Sequence, residues 1–344
     1  MQEHYMIREI REGPEALRRT LDALAREVEG VRDLLESREI RRGFVIGSGT
    51  SYHASLVLQY LVNKFANYRL VSVPASEFAD WAPDKLKGEV VLAFSQSGES
   101  TDVIVSVKMA KERGATVVGI TNTPGSTLTK LSDAYLLTRA GEERAVTATK
   151  TYDAQLIASY VLALSLSERG EAIDELKEVI RAVESVLKRE SVIKELAEEL
   201  KRAETMFVLG RGVNYPNALE ASLKLKEAAM IHAEGFAVRE FLHGPIQLVD
   251  ETTPVLALIP SRRTLEESRK TLNKLMGYKA PVVAVRAEGV DVGRYSAHEV
   301  EVPSVEEEYS TLTVIKAVQM LAYYTAIARG LNPDKPTKLT KVVK

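Results

Sequence analysis

The chain has 344 residues, of which 45% are hydrophobic and 27% are charged, and its formal net charge is −2. A protein that binds the nucleic-acid backbone normally carries a clear basic excess, so this charge argues against a nucleic-acid partner. The sequence contains no cysteine, which excludes disulfides, thiolate metal ligands and a cysteine nucleophile within it. Neither a secretory leader nor an apolar segment of membrane-spanning length is recognised, so we expect a cytoplasmic protein with no membrane partner.

The first third of the chain is predicted to alternate between helices and short strands. Apolar residues at helical spacing over residues 8–37 predict an amphipathic helix, with Pro14 near its start. The stretch RGFVIGSGTS at 42–51 predicts a strand and a loop of glycines and hydroxyls, and a helix at 52–67 follows. This loop alone is weak evidence for a ligand, because the third glycine of a dinucleotide-binding fingerprint is missing. Further strands are predicted at 70–73, 115–121 and 135–138.

A second loop of hydroxyls follows an apolar strand in VVLAFSQSGESTD, residues 90–102. The helical pattern at 103–113 places these hydroxyls at a helix N-terminus. Such a terminus presents backbone N–H groups and the positive end of the helix dipole, and the glycine allows a ligand to approach the backbone closely. Ordinary helix capping is the alternative, but one capping residue would satisfy that need. We therefore predict a phosphate site in this loop.

The second half of the chain repeats the first. The strand-like stretches at 205–213, 254–261 and 281–286 resemble those at 43–50, 90–95 and 115–120. Strands that alternate with helices predict a parallel sheet covered on both faces, with ligands at the carboxyl ends of the strands. The predicted fold is α/β, with two duplicated, doubly wound and mostly parallel sheets flanked by helices. Residues 260–263, PSRR, stand where the first copy has its hydroxyl loop, so the second copy is expected to lack the phosphate site.

The loop GEERAVTATKT at 141–151 precedes a long apolar helix predicted at 152–167. Thr147, Thr149 and Thr151 could cap this helix or line the same pocket, and capping alone explains only one of them. The chain is then predicted to have five parts. They are an N-terminal helical segment at 1–36, a first domain at 37–167, a helical connector at 168–200, a second domain at 201–329 and a C-terminal tail at 330–344.

Charged residues of the second half form a separate candidate site. Glu220, Lys224 and Glu227 are spaced so that they share one face of a helix. Such a face can supply a carboxylate base and a cation for proton transfer between adjacent carbons, although exposed helix salt bridges worth a few tenths of a kcal/mol are the common alternative. His243 is predicted to lie in a turn, where it is either structural or an acid/base group.

These motifs together resemble a known family. GSGTSY, SQSGES, GEERAVTATK, LGRGVNYPNALEASLKLKE, IHAEGF, EFLHGP and PTKLTK are similar to the isomerase half of glucosamine-6-phosphate synthase, which has two sugar-isomerase (SIS) domains. The resemblance extends from Arg42 to Lys341, which is nearly the whole chain. It implies two tandem SIS domains and a sugar-phosphate substrate.

The resemblance also implies roles for individual residues. Ser95, Gln96, Ser97 and Ser100 would hold the sugar phosphate, and Thr50 and Ser51 would lie close by. Val146 and Thr147 would meet the sugar hydroxyls. Glu227 would transfer the proton between C1 and C2, with Lys224 as its charged neighbour and Glu220 as a further pocket residue. His243 would open the sugar ring by reaching into the site of the other subunit of a homodimer. Lys341 would lie at C2 of the sugar and could form a Schiff base. The role of Lys341 rests on resemblance alone, because a lysine in a charged tail is usually solvated.

Departures from the family decide which activity is expected. The chain contains no cysteine and is too short for a glutaminase domain, so we do not expect glutamine-dependent synthesis. Ser48 stands where a cysteine often precedes the GTSY turn, and the tail ends in Val342, Val343 and Lys344 rather than in an acidic residue. The leading hypothesis is a glucosamine-6-phosphate deaminase.

Three other functions remain open at this point. The first two are a deglycase of fructosamine 6-phosphates and a plain aldose–ketose isomerase. The third is a non-catalytic sugar-phosphate sensor, which would not need Glu227, His243 and Lys341 and would usually carry a DNA-binding segment. No cofactor is expected, and no metal is expected either, because histidines and carboxylates do not occur at ligand spacing. The expected partners are a small sugar phosphate and a second copy of the chain.

Overall fold

The computed structural model describes residues 3–167 and 169–341. Its backbone divides into two compact units. The N-terminal unit contains the described residues of 12–143, 148–177 and 340–341, and the C-terminal unit contains 3–11, 144–147 and 178–339.

The N-terminal unit is built on a five-stranded sheet in which each strand is parallel to its neighbours. The strands are β1 (Arg42–Gly47), β2 (Arg69–Pro74), β3 (Val90–Phe94), β4 (Thr116–Thr121) and β5 (Ala134–Leu137). Their order in the sheet is β2-β1-β3-β4-β5. Every residue of β3 and β4 is buried, as expected for apolar strands covered by helices on both faces. The strand order reverses between β1 and β3, and in this fold ligands bind at the carboxyl ends of the two strands that flank such a point.

The helices of the first half follow the predicted alternation. They are α1 (Tyr5–Ser37), α2 (Thr50–Phe65), α3 (Ala75–Trp81), α4 (Thr101–Glu112), α5 (Thr127–Leu131) and α6 (Lys150–Leu166). All residues of α6 are buried, which agrees with the predicted apolar helix.

The sheet of the C-terminal unit repeats this topology. Its strands are β6 (Thr205–Gly210), β7 (His232–Ala237), β8 (Val255–Ile259), β9 (Val282–Ala287) and β10 (His298–Val302). Each strand is again parallel to its neighbours, in the order β10-β9-β8-β6-β7, which is the order of the first sheet counted from its other edge. The predicted α/β fold and its duplication are therefore confirmed.

The charged connector is interrupted rather than continuous. The helices of the second half are α7 (Leu176–Val186), α8 (Glu190–Leu200), α9 (Asn214–Ala229), α10 (Arg262–Gly277) and α11 (Thr311–Ala328). Short 3₁₀ turns lie at Gly170–Glu175, Leu187–Arg189, Glu240–His243, Pro245–Leu248, Gly293–Tyr295 and Glu307–Tyr309. Two of these turns precede and separate α7 and α8, and Glu168, the predicted first residue of the connector, lies outside the described residues.

Two details of the helices differ from the sequence-based expectation. Pro14 lies well inside α1, not near its start. A proline inside a helix leaves the carbonyl four residues earlier without its amide donor, and the buried Lys316 of α11 donates to that carbonyl, Ile10 O, at 3.2 Å. The distant lysine thus compensates for the proline, and sequence spacing cannot show this contact.

The second difference concerns the expectation that the chain has no membrane-spanning segment. Among the described residues, one helical stretch, Glu307–Ala328, is long and apolar enough to cross a membrane. The expectation that no segment is long and apolar enough to span a membrane was therefore wrong. In the structure 89% of its most apolar window is buried inside the protein, which is the environment of a core helix.

Candidate functional site

The predicted phosphate loop lies at the carboxyl end of β3 in the N-terminal unit. Ser95 is buried, whereas Gln96, Ser97 and Ser100 are half-buried. The hydroxyl oxygens of Ser95 and Ser97 accept hydrogen bonds from the amides of Gly98 and Glu99, both at 3.1 Å. The loop therefore has a defined turn that brings these hydroxyls to the start of α4.

The backbone of this loop requires glycine at position 98. Gly98 has a φ of +66°, and a Cβ built there would collide with the side chain of Ser126. Ser100 is the N-cap of α4, but within the described part of the chain its side chain forms no capping hydrogen bond. The first turn of α4 is thus not capped by a hydroxyl, which leaves the anion-binding interpretation the stronger one.

The second hydroxyl loop follows β1, which pairs directly with β3. Gly49 has a φ of +53° and precedes α2, whose first residue is Thr50. Thr50 is half-buried, and Ser51 is buried and accepts a hydrogen bond from Gln155 Nε2 of α6 at 2.9 Å. Because β1 and β3 are neighbours in the sheet, both hydroxyl loops lie at the point where the strand order reverses.

The loop at 141–151 contains a residue that the sequence analysis missed. The carboxylate of Glu143 is fully buried and accepts hydrogen bonds from the amides of Thr149 and Thr151 at 2.9 and 3.1 Å. Its other oxygen accepts from the Thr151 hydroxyl at 2.6 Å. Of the two alternatives for the threonines, side-chain capping of α6 is not observed in the described part of the chain: Thr149 is the N-cap residue without a side-chain capping hydrogen bond, and Glu143 accepts from the amides. A carboxylate six residues before the N-cap is too far along the chain to be recognised as a cap from sequence.

Glu143 also binds the predicted active-site lysine of the tail. Lys341 Nζ lies 2.6 Å from Glu143 Oε2, and the lysine side chain is 25% exposed. Burial alone would raise the pKa of Glu143, but the charge of Lys341 and hydrogen bonds from Lys341, Thr151 and Thr149 outweigh it and lower the pKa. Lys341 thus departs from the usual solvated lysine of a charged tail, and Val342, Val343 and Lys344 lie outside the described residues.

The next two residues predicted to contact the sugar belong to the C-terminal unit. The amide of Val146 donates to the carbonyl of Asp334 at 3.1 Å. Thr147 is completely buried, and its hydroxyl has no hydrogen-bond partner among the residues that the structure describes. A buried hydroxyl without a partner is uncommon and is consistent with a ligand contact.

Two members of the charged triplet of α9, Glu220 and Lys224, are buried and Glu227 is half-buried, so the triplet is not a surface salt bridge. Lys224 Nζ lies 3.2 Å from Glu220 Oε1 and 2.6 Å from Glu227 Oε2. The side chains of Lys224, Glu220 and Glu227 are 0%, 1% and 18% exposed. Burial alone would lower the pKa of Lys224, but the two carboxylates outweigh it and raise the pKa, so the lysine stays charged.

Glu227 is the member of the triplet that reaches a cavity. This cavity has a volume of about 650 Å³ and lies entirely in the C-terminal unit. It is lined by the end of α9, by residues 230–232 and by residues 331–332 and 335–339 of the C-terminal tail. Lys224 lies behind Glu227 and away from solvent, so it orients the carboxylate and does not line the cavity itself.

His243 occupies the predicted turn. It is the last residue of the 3₁₀ turn Glu240–His243, and Gly244 follows it with a φ of +142° that favours glycine. The imidazole is exposed, and among the described residues no hydrogen bond connects it to the α9 triplet. The two units thus carry separate groups of predicted site residues. The N-terminal unit carries Thr50, Ser51, Ser95, Gln96, Ser97, Ser100 and Lys341, and the C-terminal unit carries Val146, Thr147, Glu220, Lys224, Glu227 and His243.

The corresponding loop of the second sheet does not form a comparable cradle. Ser261 follows β8 and caps α10, because its hydroxyl oxygen accepts from the amide of Thr264 at 3.0 Å. The same hydroxyl donates to Glu307 Oε2 at 2.6 Å, so its hydrogen bonds are made within the protein. In residues 3–167 and 169–341, no group of three or more His, Asp or Glu side chains is arranged to hold a metal ion.

The fold and these two groups of residues define the class to which the chain belongs. It is a member of the SIS domain family, and the family matches residues 37–165 and 199–329. Its sequence is 37% identical over 349 residues to glutamine–fructose-6-phosphate aminotransferase (isomerizing) of Pyrococcus horikoshii. The aligned region covers 99% of this chain and 58% of that protein. The chain thus spans somewhat less than three fifths of the length of the curated relatives it matches.

Two solved structures agree with this assignment. The C-terminal domain of glucosamine-fructose-6-phosphate aminotransferase from Francisella tularensis has a TM-score of 0.90 and 28% identity, covering 97% of this chain and 99% of that one. Glucosamine-6-phosphate deaminase from Thermotoga maritima has a TM-score of 0.75 and 25% identity, with 96% and 99% covered. The resemblance to the isomerase half of the aminotransferase is therefore confirmed.

Proposed function

We propose that the chain is a sugar-phosphate isomerase that converts glucosamine 6-phosphate and water to fructose 6-phosphate and ammonia. The observation that carries this proposal is the buried triplet of Glu220, Lys224 and Glu227, with only Glu227 bordering a cavity. The names of the aminotransferase relatives support the isomerase class, and the structure named as a deaminase supports this reaction.

Stability alone is a poor explanation of the triplet. Removing the Glu220 carboxylate and the Lys224 ammonium from water costs more than an exposed pair returns, and apolar residues of similar size often stabilise a core as well or better. A proton-transfer reaction does need a carboxylate that is oriented and whose partner remains charged. Lys224 holds Glu227 Oε2 at 2.6 Å, and we assign the other oxygen, Oε1, to the proton transfer.

The proposed reaction begins with binding of the phosphate by the Ser95–Ser100 loop and the N-terminus of α4. His243 then assists opening of the sugar ring by moving a proton to the ring oxygen. Glu227 removes the proton from C2 of the open-chain amino aldehyde and returns a proton to C1, while the aldehyde oxygen takes up a proton and the amino nitrogen gives one up. This transfer leaves a ketimine at C2, and water adds to it and releases ammonia, so that fructose 6-phosphate remains.

A second candidate is the reverse reaction, in which ammonia aminates fructose 6-phosphate. Its support is the identity to the aminotransferases, which is 36–37% to the curated relatives and 28% to the solved C-terminal domain, against 25% to the deaminase structure. The same residues would catalyse both directions, and the supply of ammonia would decide between them. Deglycation, plain isomerisation and sugar-phosphate sensing are outcomes of the same experiment, since each gives a different set of products.

We further propose that the chain acts as a cytoplasmic homodimer and that His243 completes the site of the partner subunit. The exposed position of His243 supports this, because the imidazole is accessible to a second molecule. Mixing inactive His243→Ala and Glu227→Gln proteins should then restore about a quarter of wild-type activity, since half of the dimers are mixed and each has one intact site. No recovery would place His243 in the site of its own subunit.

The test of the reaction uses the purified chain with glucosamine 6-phosphate as sole substrate. Ammonia and fructose 6-phosphate should form in equal amounts, and Glu227→Gln should abolish both while the sugar phosphate still binds. Glu198→Gln is the matched control, because Glu198 is 61% exposed and pairs only at the surface with Lys201. Absence of both products, with binding retained, would contradict the deaminase proposal and favour a deglycase or a sensor.

A further inference from the structure

The carboxylate of Glu143 binds two different parts of the N-terminal unit through its two oxygens. Oε1 accepts from the amides of Thr149 and Thr151, and so it holds the start of α6. Oε2 accepts from the Thr151 hydroxyl and from Lys341 Nζ, both at 2.6 Å, and so it holds the C-terminal tail. One buried side chain therefore connects a core helix to the last described residue of the chain.

The charges make this contact stronger than a surface ion pair. The Glu143 side chain is 0% exposed, and a buried charge is tolerated only while its partners stay in place. Among the hydrogen-bond partners of this carboxylate in the described residues, Lys341 is the one with a formal positive charge, and it lowers the pKa of Glu143 against the effect of burial. Undocking of the tail would thus leave a buried carboxylate with only neutral donors.

A neighbouring ion pair in the same unit provides a useful comparison. Lys150 Nζ lies 2.6 Å from Glu12 Oε2, the same distance as in the tail contact. Here the carboxylate is 54% exposed and can be solvated without its partner, whereas the lysine side chain is only 4% exposed. The two pairs have equal length, but the fully buried partner of the tail contact is the carboxylate, whereas the buried partner of this pair is the lysine.

We propose that Glu143 is a positioning residue that docks the tail and fixes the ammonium group of Lys341 within the unit that carries the hydroxyl loops. The inference rests on the proposed function for the role of Lys341 toward the sugar, but docking itself is independent of that role. Without Glu143, the tail residues up to 339 should keep their structure within the C-terminal unit. Lys341 should no longer be held in one position. Turnover then falls although the sugar phosphate still binds.

Docking can be measured without substrate by a spin label on the tail. The sequence contains no cysteine, so one introduced cysteine is labelled at a single site. A nitroxide spin label on a single Thr340→Cys substitution, at an exposed position beside Lys341, reports mobility of the tail by electron paramagnetic resonance. Glu143→Gln and Lys341→Met should each shift the spectrum to a mobile component, and the double variant should show no further change. Glu12→Gln is the matched control and should leave the spectrum unchanged.

Several results would overturn docking. A folded Glu143→Gln protein with a wild-type spectrum would do so, and so would an unchanged spectrum in Lys341→Met. If Glu143→Gln fails to fold because α6 loses its cap, Lys341→Met and Lys341→Arg still decide the question. Arginine keeps the charge and should keep the label immobile, whereas methionine should release it.

Kinetics test the positioning role separately. In a chain that deaminates glucosamine 6-phosphate, Glu143→Gln should lower kcat by about 100-fold, because a catalytic group displaced by about 1 Å can cost that much. KM should stay within about threefold, and adding Lys341→Met should cause no further loss. An unchanged kcat with a mobile tail would overturn the positioning role, whereas an inactive wild-type chain with a docked tail would contradict the proposed function and support docking.

Discussion

Replacing Lys224 with methionine should destabilise the C-terminal unit and slow turnover. The substitution keeps the length of the side chain but leaves Glu220, which is 1% exposed, without the cation 3.2 Å away. Removing one partner of a buried ion pair costs about 3–5 kcal/mol. For a unit of this size, each kcal/mol lowers the melting temperature by about 2–4 °C, so the expected loss is roughly 6–20 °C.

The loss should also depend on pH, with a sign that follows from burial. In the wild-type protein the raised pKa of Lys224 keeps the ammonium charged, so the triplet stays intact through neutral pH. In Lys224→Met, Glu220 would be a buried carboxyl without a cation, and burial raises the pKa of such a group above its value in the unfolded chain. Stability from the protonated form is then present at low pH and is lost as pH rises. The deficit of the variant should therefore be smaller at pH 5 than at pH 8.

Thermal unfolding followed by circular dichroism at the two pH values measures both effects. Lys226→Met is the matched control for stability, because Lys226 is exposed on the same helix and its loss should change stability by no more than about 0.5 kcal/mol. Adding Glu220→Gln to Lys224→Met should recover part of the loss by removing the buried charge. If Lys224→Met melts within 1–2 °C of wild type at pH 8, roughly the effect of a surface change, the assignment of a buried charged triplet is wrong.

Three further predictions concern other parts of the chain. Gly98→Ala should cost about 1–2 kcal/mol of stability, because the added Cβ meets Ser126 and the φ of this residue is positive. It should also weaken binding of the sugar phosphate in calorimetric titration, and wild-type affinity would contradict a phosphate site in this loop. Lys316→Met should cost about 1–3 kcal/mol in urea unfolding, because the Ile10 carbonyl is left without its donor. Glu190 accepts hydrogen bonds from a lysine, a tyrosine and an arginine, which outweigh burial and lower its pKa from 4.5 to about 2. Its stabilising contribution should be lost as pH falls from 4.5 towards 2, and Glu190→Gln should flatten that part of the acid unfolding profile.

The alternation of strands and helices could be predicted because it depends on local patterns. Runs such as Val90–Phe94 are wholly apolar and are bounded by polar loops, so the strands of the first sheet were found within about two residues of their ends. The repeat of these runs in the second half predicted two sheets of the same topology. The spacing of the charged residues on α9 likewise predicted that they share a face.

Other features depend on contacts between distant parts of the chain, which spacing does not encode. The burial of Lys224 follows from packing around α9, so the sequence could not separate a surface salt bridge from a buried triplet. Pro14 lies inside a helix, and Lys316, 302 positions away, donates to the carbonyl that the proline leaves open. Glu143 was missed because its partners include Lys341, 198 residues later.

In the proposed mechanism Glu227 moves the proton between C2 and C1, and single-turnover cleavage of the C2–D bond measures this step by itself. Glucosamine 6-phosphate deuterated at C2 would be mixed with excess enzyme, and the deuterium remaining at C2 would be followed by mass spectrometry and NMR. We predict that wild-type and Glu198→Gln proteins break this bond at the same rate, and that Glu227→Gln binds the sugar but leaves the bond intact. Cleavage by Glu227→Gln at the wild-type rate would contradict the account.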